Sequence, residues 1–296
     1  MNHDFMELQI GSIGNLSLGV LRMFSNASKI GKVIHVFRNT VYLKTLNDHL
    51  TCITPYNIRA PMYLNFKADK DCINLDCYKD DYAIRTQYGL SIRDISFNIR
   101  SANVYCRNRE FQIIKGMHRR ALLAAKSLYI FDLSKSLLDS ESPFFQKISR
   151  SIKDIADFTA SHNLTELQRY LPSIVGLGNG FTPSMDDFLV GFLFGLNQLL
   201  ICTDNPTKEF AIVGNTHWAS RKFIEYAQRG YVIEPVEKFV DSIFSGDEEA
   251  IVHTLTELIK IGHSSGIDAS IGVLLAIVFD RTESEFCTSL FNIFNL

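Results

Sequence analysis

Residues 111–122 read Phe111-Gln112-Ile113-Ile114-Lys115-Gly116-Met117-His118-Arg119-Arg120-Ala121-Leu122, and at Gly116 the spacing of apolar residues changes. Upstream, from Gly11 to about Lys115, apolar residues come in short runs rich in Val, Ile, Tyr and Phe, broken by turn residues every several positions. Val33–Phe37 and Val41–Leu46 flank Arg38-Asn39-Thr40, and Leu50–Thr54 follows Asn47-Asp48. Val104–Cys106 and Phe111–Ile114 flank Arg107-Asn108-Arg109 in the same way, so the pattern predicts hairpins. Downstream the period lengthens to that of helices. It predicts helices over 119–138, 144–160, 166–171, 183–201, 207–229, 235–244, 248–261 and 267–279, with a last short one after them. Gly230, Gly246 and Gly262 stand where C-terminal caps belong, and Asp247-Glu248-Glu249 place acids at a helix start. The expectation is an α+β chain. A β-rich, barrel- or sandwich-like domain over residues 1–115 precedes an all-helical domain over residues 116–296.

The chain has 296 residues, 46% of them apolar, enough for a sizeable core and too apolar for a disordered chain. The formal net charge of −2 conceals a split. Residues 1–150 carry 21 Lys and Arg against 13 Asp and Glu, and residues 151–296 carry 9 against 19. The near-neutral total and the lack of a recognisable binding motif predict no nucleic-acid partner, and the cluster Arg100, Arg107, Arg109, Lys115, Arg119 and Arg120 reads as a solvated or interface face. Met1 to Ile10 contain acids and no apolar core segment, so no secretory signal is expected. The most apolar stretch, Phe188 to Cys202, is interrupted by Asn197 and Gln198 and reads as a buried helix rather than a membrane span. Cys52, Cys72, Cys77, Cys106, Cys202 and Cys287 are scattered without metal-ligand spacing. A reduced, cytoplasmic protein with no structural metal is the expectation.

The chemistry concentrates in two helix starts. Gly176-Leu177-Gly178-Asn179-Gly180-Phe181-Thr182-Pro183-Ser184-Met185-Asp186-Asp187 leads straight into the apolar helix. Its glycines allow positive φ and expose bare amides, and Thr182-Pro183 marks helix entry, so the loop suits an anion at a helix N-terminus. It is not a Walker loop, lacking the lysine, and no strand run precedes it as in a dinucleotide fingerprint. One of Asp186 and Asp187 serves as cap, which leaves the other aimed elsewhere. The second stretch is Gly262-His263-Ser264-Ser265-Gly266-Ile267-Asp268-Ala269-Ser270-Ile271-Gly272. Superposing Asp187 on Asp268 brings Ser184 onto Ser265 and Gly191 onto Gly272, giving Ser-x-x-Asp-x-x-x-Gly twice. Each reads as a capping box. Gly191, Gly195 and Gly272 inside apolar helices point to close helix contact, so two helices crossing at their glycines would bring both N-termini to one pocket for a small polar or anionic ligand. His263 reads either as part of that site or as a cap on the preceding helix. A Ser–His–Asp hydrolase built from Ser265, His263 and Asp268 lacks its nucleophile elbow.

These motifs, Gly-x-Gly-x-Gly-x-Thr-Pro-Ser-x-Asp-Asp-x-Leu-x-Gly and Gly-His-x-Ser-Gly-x-Asp-x-x-x-Gly, resemble the bacterial family containing AllH, a subunit of oxamate carbamoyltransferase from anaerobic allantoin breakdown. The resemblance spans roughly residues 165–280 and includes Phe223–Tyr231; Phe181 stands where family members often have Leu. It implies phosphorolysis of oxalurate to oxamate and carbamoyl phosphate together with other subunits. On that reading Gly178, Asn179, Gly180 and the amides near Thr182 hold phosphate or carboxylate, and Ser184 caps or donates. Asp186 or Asp187 accepts from a carbamoyl NH₂, and His263 moves a proton, with Ser264, Ser265 and Asp268 completing the substrate site. Paired acids beside phosphate are also compatible with Mg²⁺. A non-catalytic partner subunit, or an enzyme of another small carboxylate or acyl phosphate, are the alternatives.

Overall fold

The computed structural model describes residues 6–37, 40–55, 58–66, 75–106, 111–130, 136–139, 141–202, 210, 212, 214–280 and 285–294. Two compact units divide the chain, Met1–Asn108 and Arg109–Leu296.

The first unit is a closed barrel. Its strands are β1 (Met6–Gly14), β2 (Lys29–Phe37), β3 (Thr40–Thr45), β4 (Leu50–Thr54), β5 (Tyr63–Phe66), β6 (Tyr82–Thr86), β7 (Gly89–Ile92), β8 (Ile95–Asn98) and β9 (Asn103–Tyr105), with the short helix α1 (Asn15–Arg22) after β1. The sheet runs β5-β4-β3-β2-β6-β7-β8-β1 and closes because β1 also pairs with β5. β1 is the seam: Met6–Gln9 run parallel to β8, Ile10–Ile13 antiparallel to β5, and Ser12–Gly14 take β9 as an added strand. Closure leaves the eight barrel strands without open edges and buries a core that includes Ile10, Val33, Leu43, Ile53, Leu64 and Phe97. The β2–β3 and β3–β4 hairpins form as the turn signals predict; Arg38 and Asn39 lie outside the described residues. α1 has no counterpart in the sequence reading, because its N-cap is Gly14, which has no side chain to announce a helix start.

One predicted hairpin does not form. β9 pairs with β1, and Phe111–Ile114 is not a strand. Phe111 packs edge-on against Phe194 and Phe244 at 6.1 and 5.9 Å between ring centroids, and the Ile114 amide donates to the Phe244 carbonyl at 3.0 Å. A short apolar run looks alike whether it lines a sheet or plugs a helical core. Residues 107–110, which hold the intended turn, lie outside the described residues.

The second unit is helical: α2 (Met117–Ile130), α3 (Phe145–Ala160), α4 (Leu164–Tyr170), α5 (Ser184–Cys202), α6 (Trp218–Gln228), α7 (Glu234–Ser245), α8 (Glu248–Ile259), α9 (Ser265–Ala276) and α10 (Glu285–Phe294). α5 and α9 form its centre, buried on nearly every side, which is why both are apolar all round instead of striped. α5 is long and apolar enough to cross a membrane by length and composition, yet most of it is packed inside this unit. α2 is described as far as Ile130, residues 131–135 lie outside the described residues, and Ser136–Leu138, within the predicted helix, form a turn beside α9. α6 begins only at Trp218; Thr207, the predicted start, lies outside the described residues, and Gly214–His217 is not helical. Gly230 and Gly262 take positive φ as their cap positions require, whereas Gly246 ends α7 in an extended conformation. Asp247 caps α8 by accepting from the Ala250 amide at 2.7 Å. Among the cysteines, Cys52, Cys77, Cys106 and Cys202 are free thiols; Cys72 and the side chain of Cys287 are outside the described residues.

Candidate functional site

α5 and α9 cross where their glycines remove side chains. A Cβ on Gly191 would lie 2.0 Å from the Ala269 carbonyl oxygen, and one on Gly272 2.1 Å from that of Phe188. Real Cβ atoms do not approach backbone so closely, so only glycine admits this crossing. The Ser-x-x-Asp starts of the two helices are thereby brought together, as the repeated motif predicts.

The loop entering α5 turns on Gly176, Gly178 and Gly180, with φ of +81°, +119° and +101°. Segment 214–217 runs beside it. The Asn215 carbonyl oxygen would lie 2.0 Å from a Cβ on Gly176, and the Phe181 ring stacks on His217 at 5.3 Å. Asp186 fastens the two segments: its Oδ1 accepts from the Gly176 amide at 2.7 Å, and its Oδ2 accepts from Ser220 Oγ at 2.7 Å and from the Thr216 hydroxyl. Buried and met by three donors, Asp186 positions the loop. Thr216 and Ser220 were absent from the sequence reading because they lie 30 and 34 residues away with no local pattern. The amides of Gly178, Asn179 and Gly180 are committed to no acceptor among the described residues, and Asn179 and Gly180 are exposed.

Asp187 faces the other way. It meets Ser265 and Asp268 of α9 as well as its own Thr182. Asp268 is fully buried; its Oδ1 accepts from the Leu137 amide at 2.7 Å, and the hydroxyls of Ser264 and Ser184 stand beside it. Each acid therefore reaches across the crossing as well as back to its own helix start. Asp187 meets the serine opening α9 beside its own Thr182, and Asp268 the serine opening α5 beside its own Ser264, where the sequence predicts that each acid returns only to its own helix. Leu137 was also unforeseen, since only the turn at 136–138 places it. The neighbouring hydroxyls favour the ionised carboxylates, yet Oδ2 of each is closed to solvent and without a hydrogen-bond partner. Neither forms an ion pair among the described residues. His263 is exposed in the turn before α9, one residue ahead of the N-cap Ser264, and makes no hydrogen bond to a described residue, so it does not cap α8. No group of three or more His, Cys, Asp or Glu among the described residues is placed to hold a metal.

Burial drives the Asp187 carboxyl well above the usual carboxylate range, its serine opposes this, and the Asp268 charge adds to it. Burial likewise pushes Asp268 from 3.8 up to about 7. A raised carboxyl means the folded chain holds a proton that the unfolded chain has released, so the stability it contributes is complete below about pH 4 and is lost as pH climbs through about 7. The expected loss approaches about 4 kcal/mol, taking about 1.4 kcal/mol per unit. Urea unfolding of wild type and Asp268→Asn across this range, followed by the fluorescence of Trp218, checks it; parallel pH profiles for the two proteins refute it.

Two buried helices thus cross at glycines and bring together their N-termini, the glycine loop and the side chains of Asp187 and Asp268. The family model described as oxamate carbamoyltransferase subunit AllH matches residues 174–277, from just before the glycine loop to just past the end of α9. The matched residues are those whose motifs carry the resemblance. No solved structure matches the chain.

Proposed function

We propose that the helical unit binds a small carbamoyl-bearing anion at the N-termini of α5 and α9, within a cytoplasmic, multi-subunit oxamate carbamoyltransferase. That system would convert oxalurate and phosphate into oxamate and carbamoyl phosphate during anaerobic use of allantoin nitrogen. The observation that carries the reading is the pairing of opposite hydrogen-bonding capacities at one place. Uncommitted amides at Gly178, Asn179 and Gly180 offer donors, strengthened by the helix dipole, to phosphate or carboxylate oxygens. Asp187 and Asp268 offer buried acceptor oxygens with no partner, suited to the NH₂ of a carbamoyl or ureido group. Ser184, Ser265 and Thr182 add hydroxyls, and His263 stands at the solvent side of the α9 start. Asp186 serves the site indirectly by holding the loop.

Isothermal titration of the whole chain with carbamoyl phosphate, oxamate and oxalurate tests the reading. The double variant Asp187→Asn, His263→Ala is expected to weaken binding at least about tenfold, the loss of about 1.4 kcal/mol that one good polar contact represents. Undiminished binding in the double variant would falsify the site assignment. Turnover that appears only after mixing with partner subunits and survives in the variant would make this chain a non-catalytic subunit.

A further inference from the structure

We propose that Asp187 and Asp268 hold one proton between them and act as the proton relay of the transfer reaction. The inference rests on the proposed function for its substrate, whereas the shared proton is a property of the chain alone. Two carboxyls come from crossing helices, Asp268 fully buried and Asp187 half-buried, and each keeps an Oδ2 that neither solvent nor a hydrogen bond reaches. The Asp268 charge disfavours a second charge on Asp187, and placing one proton on the pair removes that repulsion. The helix N-termini then stabilise the single remaining negative charge.

No neighbouring cation offers another solution among the described residues. From α5 the pair meets Ser184 and Asp186, the latter engaged by Gly176, Thr216 and Ser220. From the loop it meets Thr182, from α9 Ser264 and Ser265, and from the 136–138 turn the Leu137 amide. Arg221 of α6 donates to the Gly214 carbonyl, Arg120 of α2 to carbonyls at 114–115 and 243–244, and Lys260, just past α8, pairs with Glu257. His263 is exposed.

The reaction needs one proton moved. An oxygen of hydrogen phosphate attacks the carbamoyl carbon, forming the C–O bond of carbamoyl phosphate. The C–N bond to the oxamate nitrogen breaks and its electron pair stays on that nitrogen, which takes the proton from the carboxyl pair. The hydroxyl proton of the attacking phosphate restores the pair, so atoms and charge balance with no further reactant.

Carbon-13 NMR of the full chain labelled at the aspartate carboxyls, titrated with pH, reads the proton directly. One carboxyl resonance is expected to titrate near neutrality, and to be displaced by a unit or more in Asp187→Asn and lost in Asp268→Asn, both near-isosteric; circular dichroism at each pH checks their fold. In the reconstituted system each variant should also lose the neutral limb of the pH–rate profile. Aspartates that all titrate in the ordinary range near about 4 overturn the shared proton, and an unchanged pH–rate profile in both variants overturns the relay. Failure of the proposed function is read separately, as no binding of any carbamoyl ligand in the calorimeter.

Discussion

Gly272→Ala is expected to destabilise the helical unit by about 3 kcal/mol, the upper end of what overpacking costs, and to remove ligand binding with it. The added Cβ would lie 2.1 Å from the Phe188 carbonyl oxygen and 2.7 Å from the Phe192 amide nitrogen, both backbone atoms that no side-chain rotation can move aside. α5 and α9 must separate, which opens contacts among Phe188, Phe192, Ile271 and Leu275 in a core with no spare volume. The same separation pulls Asp187 away from Ser265 and Asp268. Trp218, the single tryptophan of the chain, lies in α6 and reports on this unit in urea unfolding. Gly19→Ala is the contrasting control. It sits inside α1 with nothing within 4 Å of its Cβ position, and alanine there should stabilise by up to about 1 kcal/mol. A Gly272→Ala protein that unfolds within about 1 kcal/mol of wild type would show that the crossing is not tight.

Arg120→Met should cost about 3–5 kcal/mol, because it leaves buried acceptors without their charged donor. The guanidinium reaches four carbonyls: Nε to Ile243 at 2.7 Å, Nη1 to Lys115 at 3.0 Å, and Nη2 to Ile114 at 3.0 Å and Phe244 at 2.6 Å. Two of them close the C-terminal turn of α7, where a cation also complements the helix dipole. Methionine keeps the length of the stem and removes only the donors. Arg120→Lys should recover a part of the loss, since an ammonium has the charge but not the planar fork. An Arg120→Lys protein as stable as wild type would refute the role of the fork. In the sequence Arg120 is one member of a basic cluster that reads as a solvated or interface face. The fold buries it to 8% exposure, while its neighbour Arg119 remains at the surface, paired with Glu248.

That contrast marks how far local pattern reaches. Charge in a run of Arg and Lys carries no sign of which member turns inward, because the helix phase depends on where α2 meets α7. The same holds for Asp186 and Asp187. Adjacent acids at a helix start look equivalent, and one is committed to Gly176, Thr216 and Ser220 while the other faces α9. The Phe111–Ile114 run failed as a strand for a related reason: its partners Phe194 and Phe244 lie far along the chain.

By itself the sequence determined the change of period near Gly116, the glycine loop with its positive φ, the N-termini of α5 and α9 and the glycines at which they touch. Each of these follows from interactions within a few residues, or from a side chain whose absence is itself informative. Tertiary structure alone decided that the β-rich unit closes as a barrel through β1 and β5, that Arg120 is interior, and that the acids of the two Ser-x-x-Asp boxes also reach across to each other's serine. A capping box is satisfied equally well within a helix or across a crossing, so local chemistry leaves that choice open. Only the approach at Gly191 and Gly272 brings the second helix close enough to settle it.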